Sequence, residues 1–392
     1  MTQTTKLLTL QNVLAAALLA GAGAAAWTML APSAQQVTED AYVDGNVVQV
    51  TPQVSGSVTA IGADNTDYVK AGQVLVQLND VDARLALERA EAQLSKAVRQ
   101  VRVQFANAGQ MQANVRQRAA DLARAEADDV RRRGLATSGA VSGEDIRHAE
   151  DAVKSARAAL NAAEQQAASA NALVDQTSIT SHPDVQAAVS QLRDAYVASV
   201  RTTLRAPVSG NVAKRNVQLG QRVGAGAALM SIVPAEQMWV NANFKESQLG
   251  AIRIGQPVVL SADVYGKAVR YNGRVVGQEA GTGSAFSLLP AQNATGNWIK
   301  VVQRVPIRIA LEPKELAAHP LKLGLSMRVA VDTHDASGAF AVGSASTRAA
   351  YKTDVFDREL EQADLLVQRI IAANGGGTAA VKLTQPALAQ AN

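Results

Sequence analysis

The sequence contains no cysteine and few aromatic residues, and each shortage excludes a class of protein. Without cysteine, the 392-residue chain can form no disulfide, no thiolate metal site, no thiol nucleophile and no lipoprotein anchor. Aromatic residues make up only 4% of it, whereas alanine is abundant, which favours long helices over large cores. The formal net charge of +4 is spread along the chain, so no basic patch indicates nucleic-acid binding.

Charge is also missing locally, because no charged residue lies between Lys6 and Glu39. Residues 7–30 are largely apolar and carry Trp27 near their far end, and about 20 apolar residues span a bilayer as a helix. Lys6 ahead of the segment favours a cytoplasmic N-terminus. We expect an uncleaved single-pass anchor; a signal peptide cleaved near 31–34 is the alternative. Both place the remaining chain outside the cytoplasm.

Residue patterns that carry chemistry are lacking as well. The glycine-rich run at 281–284 has no Gly-Lys-Ser/Thr ending, so it is not a P-loop. The histidines lack the spacing of metal ligands and are predicted to be surface or loop residues: His148, His182, His319 and His334. We therefore expect no catalytic residue, no metal and no cofactor.

Two stretches of the sequence, 46–79 and 203–233, are versions of each other. Each reads as short strands separated by turn residues, and VSGSV at 54–58 matches VSGNV at 208–212. A second glycine follows at the same distance in both copies, and a glycine at a fixed turn position permits backbone conformations that other residues avoid. We interpret the copies as halves of one pseudo-symmetric β unit that cover each other's strand edges. The turn glycines are Gly56, Gly72, Gly210 and Gly226.

The halves are separated by two proline-free stretches, 81–134 and 143–180, that are rich in Ala, Gln, Arg and Glu. Positions at alternating spacings of four and three, from 94 to 122 and from 146 to 174, form the predicted seam, and all of them are apolar except Gln112. A sustained seven-residue repeat imposes a left-handed coiled coil. The sequence predicts an antiparallel hairpin whose first helix runs roughly 80 Å at about 1.5 Å per residue.

Local signals predict where the hairpin helices begin and end. Gly134 suits the position just after the first helix, and Ser142 with Asp145 resembles a capping box at the start of the second. Pro183 should interrupt the returning helix near 181–182, after which the helical pattern resumes to about Arg201.

Beyond residue 233 the pattern becomes β again. Five or six strands over about 100 residues predict a small barrel, with a long Gly/Ser/Asn-rich loop at 280–297. One amphipathic helix is expected from Asp357 to Ala373, followed by disorder. The sequence thus predicts an elongated α+β protein with these divisions: anchor 1–38, first strand and first half-motif 39–79, hairpin 80–202, second half-motif 203–233, barrel 234–332, and C-terminal extension 333–392.

This order of elements resembles the HlyD-like membrane fusion proteins, or periplasmic adaptors, and within them the EmrA-type multidrug-resistance adaptors. The split β unit is similar to a lipoyl-like barrel-sandwich hybrid. The resemblance is carried by DAYVDGN at 40–46, QVSGSV at 53–58, ADNTD at 63–67, MWVNANFKE at 238–246, GTGSAFSLLP at 281–290 and NATGNWIK at 293–300.

The resemblance implies an adaptor in the inner membrane, with most of the chain in the periplasm. It would link a proton-driven transporter of the major facilitator type to a TolC-like outer-membrane channel, as a homo-oligomeric ring of three or six copies. No swinging-arm cofactor is expected, because the hairpin occupies the place where carrier domains hold a modified lysine. An adaptor of an ABC-type secretion system, a biotinyl or lipoyl carrier and an anchored coiled-coil scaffold are the alternatives.

The resemblance also implies two contact sites. Arg131, Leu135 and Ser142 hold the spacing with which hairpin tips of this family dock onto the channel. Each also has a local explanation, in the helix dipole, a hydrophobic contact after Gly134 and an N-cap, respectively. The barrel loop would face the transporter through Ser284, Phe286, Leu288 and Trp298.

Overall fold

The chain forms a six-stranded barrel, two small packed sheets and a long helical hairpin. The computed structural model describes residues 35–136, 139–283, 285, 302–340 and 351–376. Its helices are α1 Val81–Ala136, α2 Gly143–Asn171, α3 Pro183–Val200, α4 Glu246–Leu249, α5 Pro313–Ala318 and α6 Glu359–Asn374. Its strands are β1 Gln35–Gly45, β2 Val48–Val50, β3 Gly56–Ile61, β4 Tyr68–Val69, β5 Val74–Leu78, β6 Thr203–Arg205, β7 Gly210–Arg215, β8 Arg222–Val223, β9 Met230–Val233, β10 Met238–Lys245, β11 Pro257–Ala262, β12 Tyr271–Gln278, β13 Arg304–Leu311 and β14 Ser326–Asp332.

The two small sheets are built from both copies of the repeat. One has the strand order β2-β9-β7-β4 and the other β6-β5-β3-β8, so each sheet contains two strands from each half. Their shared core includes residues that occupy matching positions in the two copies: Val58 and Val212, Val69 and Val223, Leu75 and Leu229, Val76 and Met230. Neither half can complete a sheet alone, and the two together bury one core.

Backbone hydrogen bonds between the halves are reciprocal at a constant offset of 154 residues. The Thr66 N–H donates to the Val212 carbonyl, and the Gly220 N–H donates to the Val58 carbonyl, both at 2.9 Å. Two further pairs of bonds match in the same way. The Val58 N–H donates to the Gln221 carbonyl, and its counterpart is the Val212 N–H, which donates to the Asp67 carbonyl. The Gly72 N–H donates to the Ala206 carbonyl, and its counterpart is the Gly226 N–H, which donates to the Pro52 carbonyl. The pseudo-symmetry read from the glycines therefore extends to the hydrogen bonds.

The barrel is closed in the order β1-β10-β13-β12-β11-β14, and one of its strands comes from the N-terminal side of the chain. The predicted division at residue 39 grouped that strand with the first half-motif, whereas β1 pairs with β10 and β14. Ala41 and Val43 point into the barrel core and are at most 2% exposed. Without β1, the edges of β10 and β14 would have unpaired backbone groups, which explains its place in the barrel.

The hairpin is confirmed, but its first helix differs from the prediction in where it ends and in which residues it buries. Helix α1 continues through Gly134 to Ala136, so Gly134 does not follow the helix, and the left-handed turn residue is Gly139 at φ +72°. Gln112 and Ala119, predicted at the seam, are exposed, whereas the predicted seam positions between 146 and 170 are buried or half-buried. The first helix therefore drifts from the regular repeat midway, while the second keeps it.

The returning helix is interrupted earlier than proline alone requires. It breaks at 172–182, and Pro183 is the first residue of α3 rather than the cause of the whole break. His182 is the N-cap of α3 and is 7% exposed. It therefore lies in a loop, as the prediction of a surface or loop residue allowed, but it is buried. Its Nδ1 accepts the Asp184 N–H at 3.2 Å, and Nε2 lies 3.0 Å from the Leu173 carbonyl oxygen, so both ring nitrogens are used within the break.

The C-terminal helix α6 agrees with the predicted helix to within two residues, but its position was not predicted. It packs against α1 and α3 near the two small sheets. The predicted anchor at residues 7–30 lies outside the described residues, and within those residues no helix has the length and apolar character to cross a bilayer.

Candidate functional site: the hairpin tip and the barrel end

The two ends of the barrel are connected to different parts of the chain. Strand pairing places Gln35, Gln278, Arg304 and Asp332 at one end. At the other end, Gly45 pairs with Met238, and the chain continues from there into the small sheets. The chain thus enters the barrel from residues 1–34 at one end, and the hairpin is attached through the sheets at the other.

The tip of the hairpin presents Arg131 and Leu135 on one face of α1. They are four residues apart, which places them one turn above each other. The Arg131 side chain is 69% exposed and Leu135 is 45% exposed. An apolar side chain and a cation are thus accessible together at the end of a helix.

The neighbouring arginines are bound more tightly to the hairpin than Arg131. Arg131 approaches Asp128 at 3.8 Å, whereas Arg132 bonds to the same carboxylate at 2.8 Å. Arg133 binds Asp129 on its own helix and reaches across to Glu150 of α2, also at 2.8 Å. The hydrogen bond to Asp129 and its negative charge raise the pKa of Arg133 above its ordinary value. Arg133 therefore joins the two helices, and Arg131 is held more loosely.

Ser142 closes the tip by capping α2. Its hydroxyl accepts the Asp145 N–H at 3.1 Å, and the Asp145 carboxylate accepts the Ser142 N–H at 3.3 Å. The hydroxyl also lies 2.6 Å from that carboxylate. These bonds from the Ser142 hydroxyl and backbone, helped by Arg132, lower the pKa of Asp145. The capping box is complete, so Ser142 has a structural role at the tip.

The four turn glycines have a structural role in the two small sheets. Gly72 and Gly226 have φ values of +82° and +83° in equivalent turns. A Cβ at Gly210 would fall on the Val233 carbonyl oxygen, and one at Gly56 would lie 3.2 Å from Leu78 Cβ. Sequence matching missed the equivalent left-handed pair, Thr66 (+76°) and Gly220 (+78°), because only one of them is a glycine.

The residues predicted to face the transporter, Ser284, Phe286, Leu288 and Trp298, all lie outside the described residues. The described residues show where their loop begins and ends. Strand β12 ends at Gln278 and β13 starts at Arg304, both at the barrel end where β1 begins. The Arg304 guanidinium binds the Asp40 carboxylate at 2.8 Å.

A polar network on the outer face of the barrel was not predicted. Asn243 donates to Asp40 at 3.1 Å, and Asn241 donates to Asp44 at 2.8 Å. The Arg308 guanidinium stacks on the Trp239 ring at 3.7 Å. Two of the resembling stretches, at 40–46 and 238–246, are therefore neighbouring strands. The alternation of polar and buried residues in β10 was the signal for this face.

Comparison with known proteins identifies the family. Residues 81–202 match the family model of the EmrA alpha-helical hairpin domain. The fatty acid resistance protein FarA of Neisseria gonorrhoeae is 56% identical over 303 residues, which cover 77% of each chain. The multidrug export protein EmrA of Escherichia coli K12 is 45% identical over 339 residues, covering 86% of this chain and 87% of that one. The chain belongs to the EmrA-type membrane fusion proteins.

A solved structure of a periplasmic adaptor protein EmrA also matches this EmrA-type chain. It covers 76% of this chain and 98% of that one, with 17% sequence identity and a TM-score of 0.38. Proteins of this family are structural components of export pumps, and their members are generally not enzymes. Within the described part of the chain, no group of three or more His, Cys, Asp or Glu residues is arranged so that it could hold a metal ion.

Proposed function

We propose that this protein is the periplasmic adaptor of a tripartite efflux pump. It links an inner-membrane transporter of the major facilitator type to a TolC-like outer-membrane channel. The observation that carries the proposal is a continuous 56-residue helix, on the order of 80 Å long, that projects from a β base and ends in an exposed tip. Such a hairpin has the reach that an adaptor needs, and the chain itself performs no chemistry.

The ends of the molecule would contact different partners. The barrel end that receives residues 1–34 would lie near the inner membrane, with residues 7–30 as the anchor and the loop carrying Phe286 and Trp298 facing the transporter. Arg131 and Leu135 would contact the channel, while Ser142 holds the tip in shape. Assembly as a ring of three or six copies is part of the proposal.

The substrates we propose are hydrophobic drugs and fatty acids. One relative is named for multidrug export and another, at 56% identity, for fatty acid resistance. A strain that lacks this protein but expresses the partner transporter should become sensitive to one or both classes. Unchanged sensitivity to a broad panel of both would contradict the efflux function and favour an ABC-type secretion adaptor or a scaffold.

Channel docking at the tip can be tested with aspartate substitutions. Burial of a leucine is worth about 1.5–3 kcal/mol. Covering the exposed 45% of Leu135 is therefore worth about 1 kcal/mol, or roughly fivefold in affinity. Leu135→Asp also places a carboxylate in the contact, so we expect at least tenfold less photo-crosslinking to the channel from a probe at Ala140. Arg131→Asp should act in the same direction.

Val130→Asp is the matched control, because Val130 is 69% exposed and lies on another face of α1. It should leave crosslinking unchanged, and circular dichroism should show the same helix content in all three variants. If Leu135→Asp crosslinks as well as the parent protein, the assignment of the tip to the channel is wrong.

A further inference from the structure

Helix α6 lies along the inner part of the hairpin and turns it into a three-helix bundle. It buries Ala363 completely and leaves Val367 only 6% exposed, while Leu366, Ile370 and Ile371 pack on the same core. On the hairpin side, that core consists of Ala90, Leu94, Ala97, Val98, Val101, Val185, Ala188, Val189 and Leu192. The outer part of the hairpin, α1 with α2, is a two-helix coiled coil.

Polar side chains fix the position of α6 along its whole length. Successive contacts run from its first turn to its last: Glu359 with Arg201 at 3.3 Å, Asp364 with Arg193 at 2.7 Å and Asn374 with Arg99 at 2.8 Å. Because these contacts reach both hairpin helices, a shift of α6 by one turn would break all of them.

The segments before α6 contact the other parts of the protein in order. The Ile254 N–H donates to the Ala339 carbonyl at 3.0 Å, at the barrel end where the chain enters. The Thr353 hydroxyl then donates to the Pro207 carbonyl at 2.7 Å, on the small sheets. The C-terminal part of the chain thus contacts the barrel, the sheets and the hairpin.

The break in the returning helix lies where α6 ends. Gly376 lies against the Arg102 side chain, and Asn374 bonds to Arg99. On α3, Asp184 lines the same groove as Gln100. Beyond this level, residues 172–182 form turns, and Gln176 has a φ of +53°. One hairpin helix is continuous there, the other is interrupted, and no third helix covers them among the described residues.

We propose that residues 351–376 act as a strap that holds the inner part of the hairpin rigid and confines its bending to the break at 172–182. The strap supplies the third face of the inner core, so α1 and α3 cannot separate while it is bound. The outer coiled coil of α1 with α2 then moves as one rigid unit relative to the inner part of the hairpin. Bending at residues 172–182 sets the direction in which the tip points, and α6 sets how rigid the inner part of the hairpin is.

The strap can be tested on the purified full-length protein. Because the chain has no cysteine, introduced cysteine pairs can be spin-labelled without background. Labels at Ser190 and Gln368 should give one narrow distance in the parent protein and a broad distribution in Val367→Asp. Leu365→Asp is the matched control, because Leu365 is 62% exposed on the same helix, and it should keep the narrow distance. Labels at Ala158 and Ser190, on either side of the break, should give a broader distribution than the first pair.

Amide hydrogen exchange then separates a strap from a passive tail. In Val367→Asp, the amides of α3 should exchange at least tenfold faster, while those of α2 keep their parent rate. Arg193→Glu should also loosen α6, and Asp364→Arg added to it should restore the parent rate. Equal α3 exchange in Val367→Asp and Leu365→Asp, equal acceleration of α2 and α3, or equal widths for the two label pairs would overturn the proposal. Neither measurement needs a transporter or a channel, so the outcome is independent of the proposed export function.

Discussion

Replacing Thr66 with glycine should stabilise the two small sheets. Thr66 has a φ of +76°, and the left-handed conformation costs a residue with a Cβ roughly 1–2 kcal/mol. Glycine removes that cost but loses about 0.5–1 kcal/mol more backbone entropy on folding. The expected net gain is therefore about 0.7 kcal/mol, which corresponds to about threefold slower exchange of amides that open only when the sheets unfold.

The pseudo-symmetric position supplies the reverse experiment. Gly220 has a φ of +78°, and a Cβ there would meet no atom within 4 Å, so Gly220→Thr adds backbone strain without a clash. It should speed exchange about threefold, and the Thr66→Gly, Gly220→Thr double variant should return close to the parent rate. Thr59→Gly is the control, because Thr59 lies within β3, where glycine is unfavourable. If Thr66→Gly accelerates exchange as Thr59→Gly does, the strain argument is wrong.

Two further predictions concern buried ring side chains. His182→Ala should destabilise the start of α3 by about 1 kcal/mol because the N-cap is lost, whereas His182→Asn should keep most of the capping stability. Hydrogen exchange of the first turn of α3 should be faster in the alanine variant than in the asparagine variant. Equal exchange rates in the two variants would contradict the capping role. Burial, with help from Tyr265 and Glu315, raises the pKa of Tyr271 from 10.0 to about 12, so the folded barrel keeps a proton that the unfolded chain loses. Tyr271 should therefore leave barrel stability unaffected below pH 10 and lower it between pH 10 and 12. Urea unfolding across this range should show a smaller fall in stability in Tyr271→Phe than in the parent protein. An identical fall in both proteins would show that Tyr271 is not the group responsible.

Local patterns were sufficient for the elements and for the split of the β unit. The equal glycine spacing in 46–79 and 203–233 predicted two interleaved halves, because turns at matched positions leave matched strand edges to be covered. The alternating apolar spacing predicted the hairpin, since side chains three and four apart share one helix face. Arg131 and Leu135 share one face of α1 because the helix continues to Ala136, whereas the sequence predicted that Leu135 follows the helix end.

Local patterns were not sufficient where the position of a residue or strand depends on contacts with residues far away in the sequence. Apolar alternation in β1 fits a barrel or a packed sheet equally well, and the open edges of β10 and β14 decided between them. Gly134 carries the residue type of a helix end, yet the helix continues to Ala136. The buried environment of His182 was invisible because it depends on a break that begins ten residues earlier.

The sequence by itself determined that this protein has a split β base, a long coiled-coil hairpin and a small barrel, because each follows from a period or a repeat within one segment. Only the tertiary structure decided that the first strand closes the barrel and that the C-terminal helix completes the hairpin base. Those two choices depend on unpaired strand edges and on an apolar groove, and both are formed by residues distant in the chain.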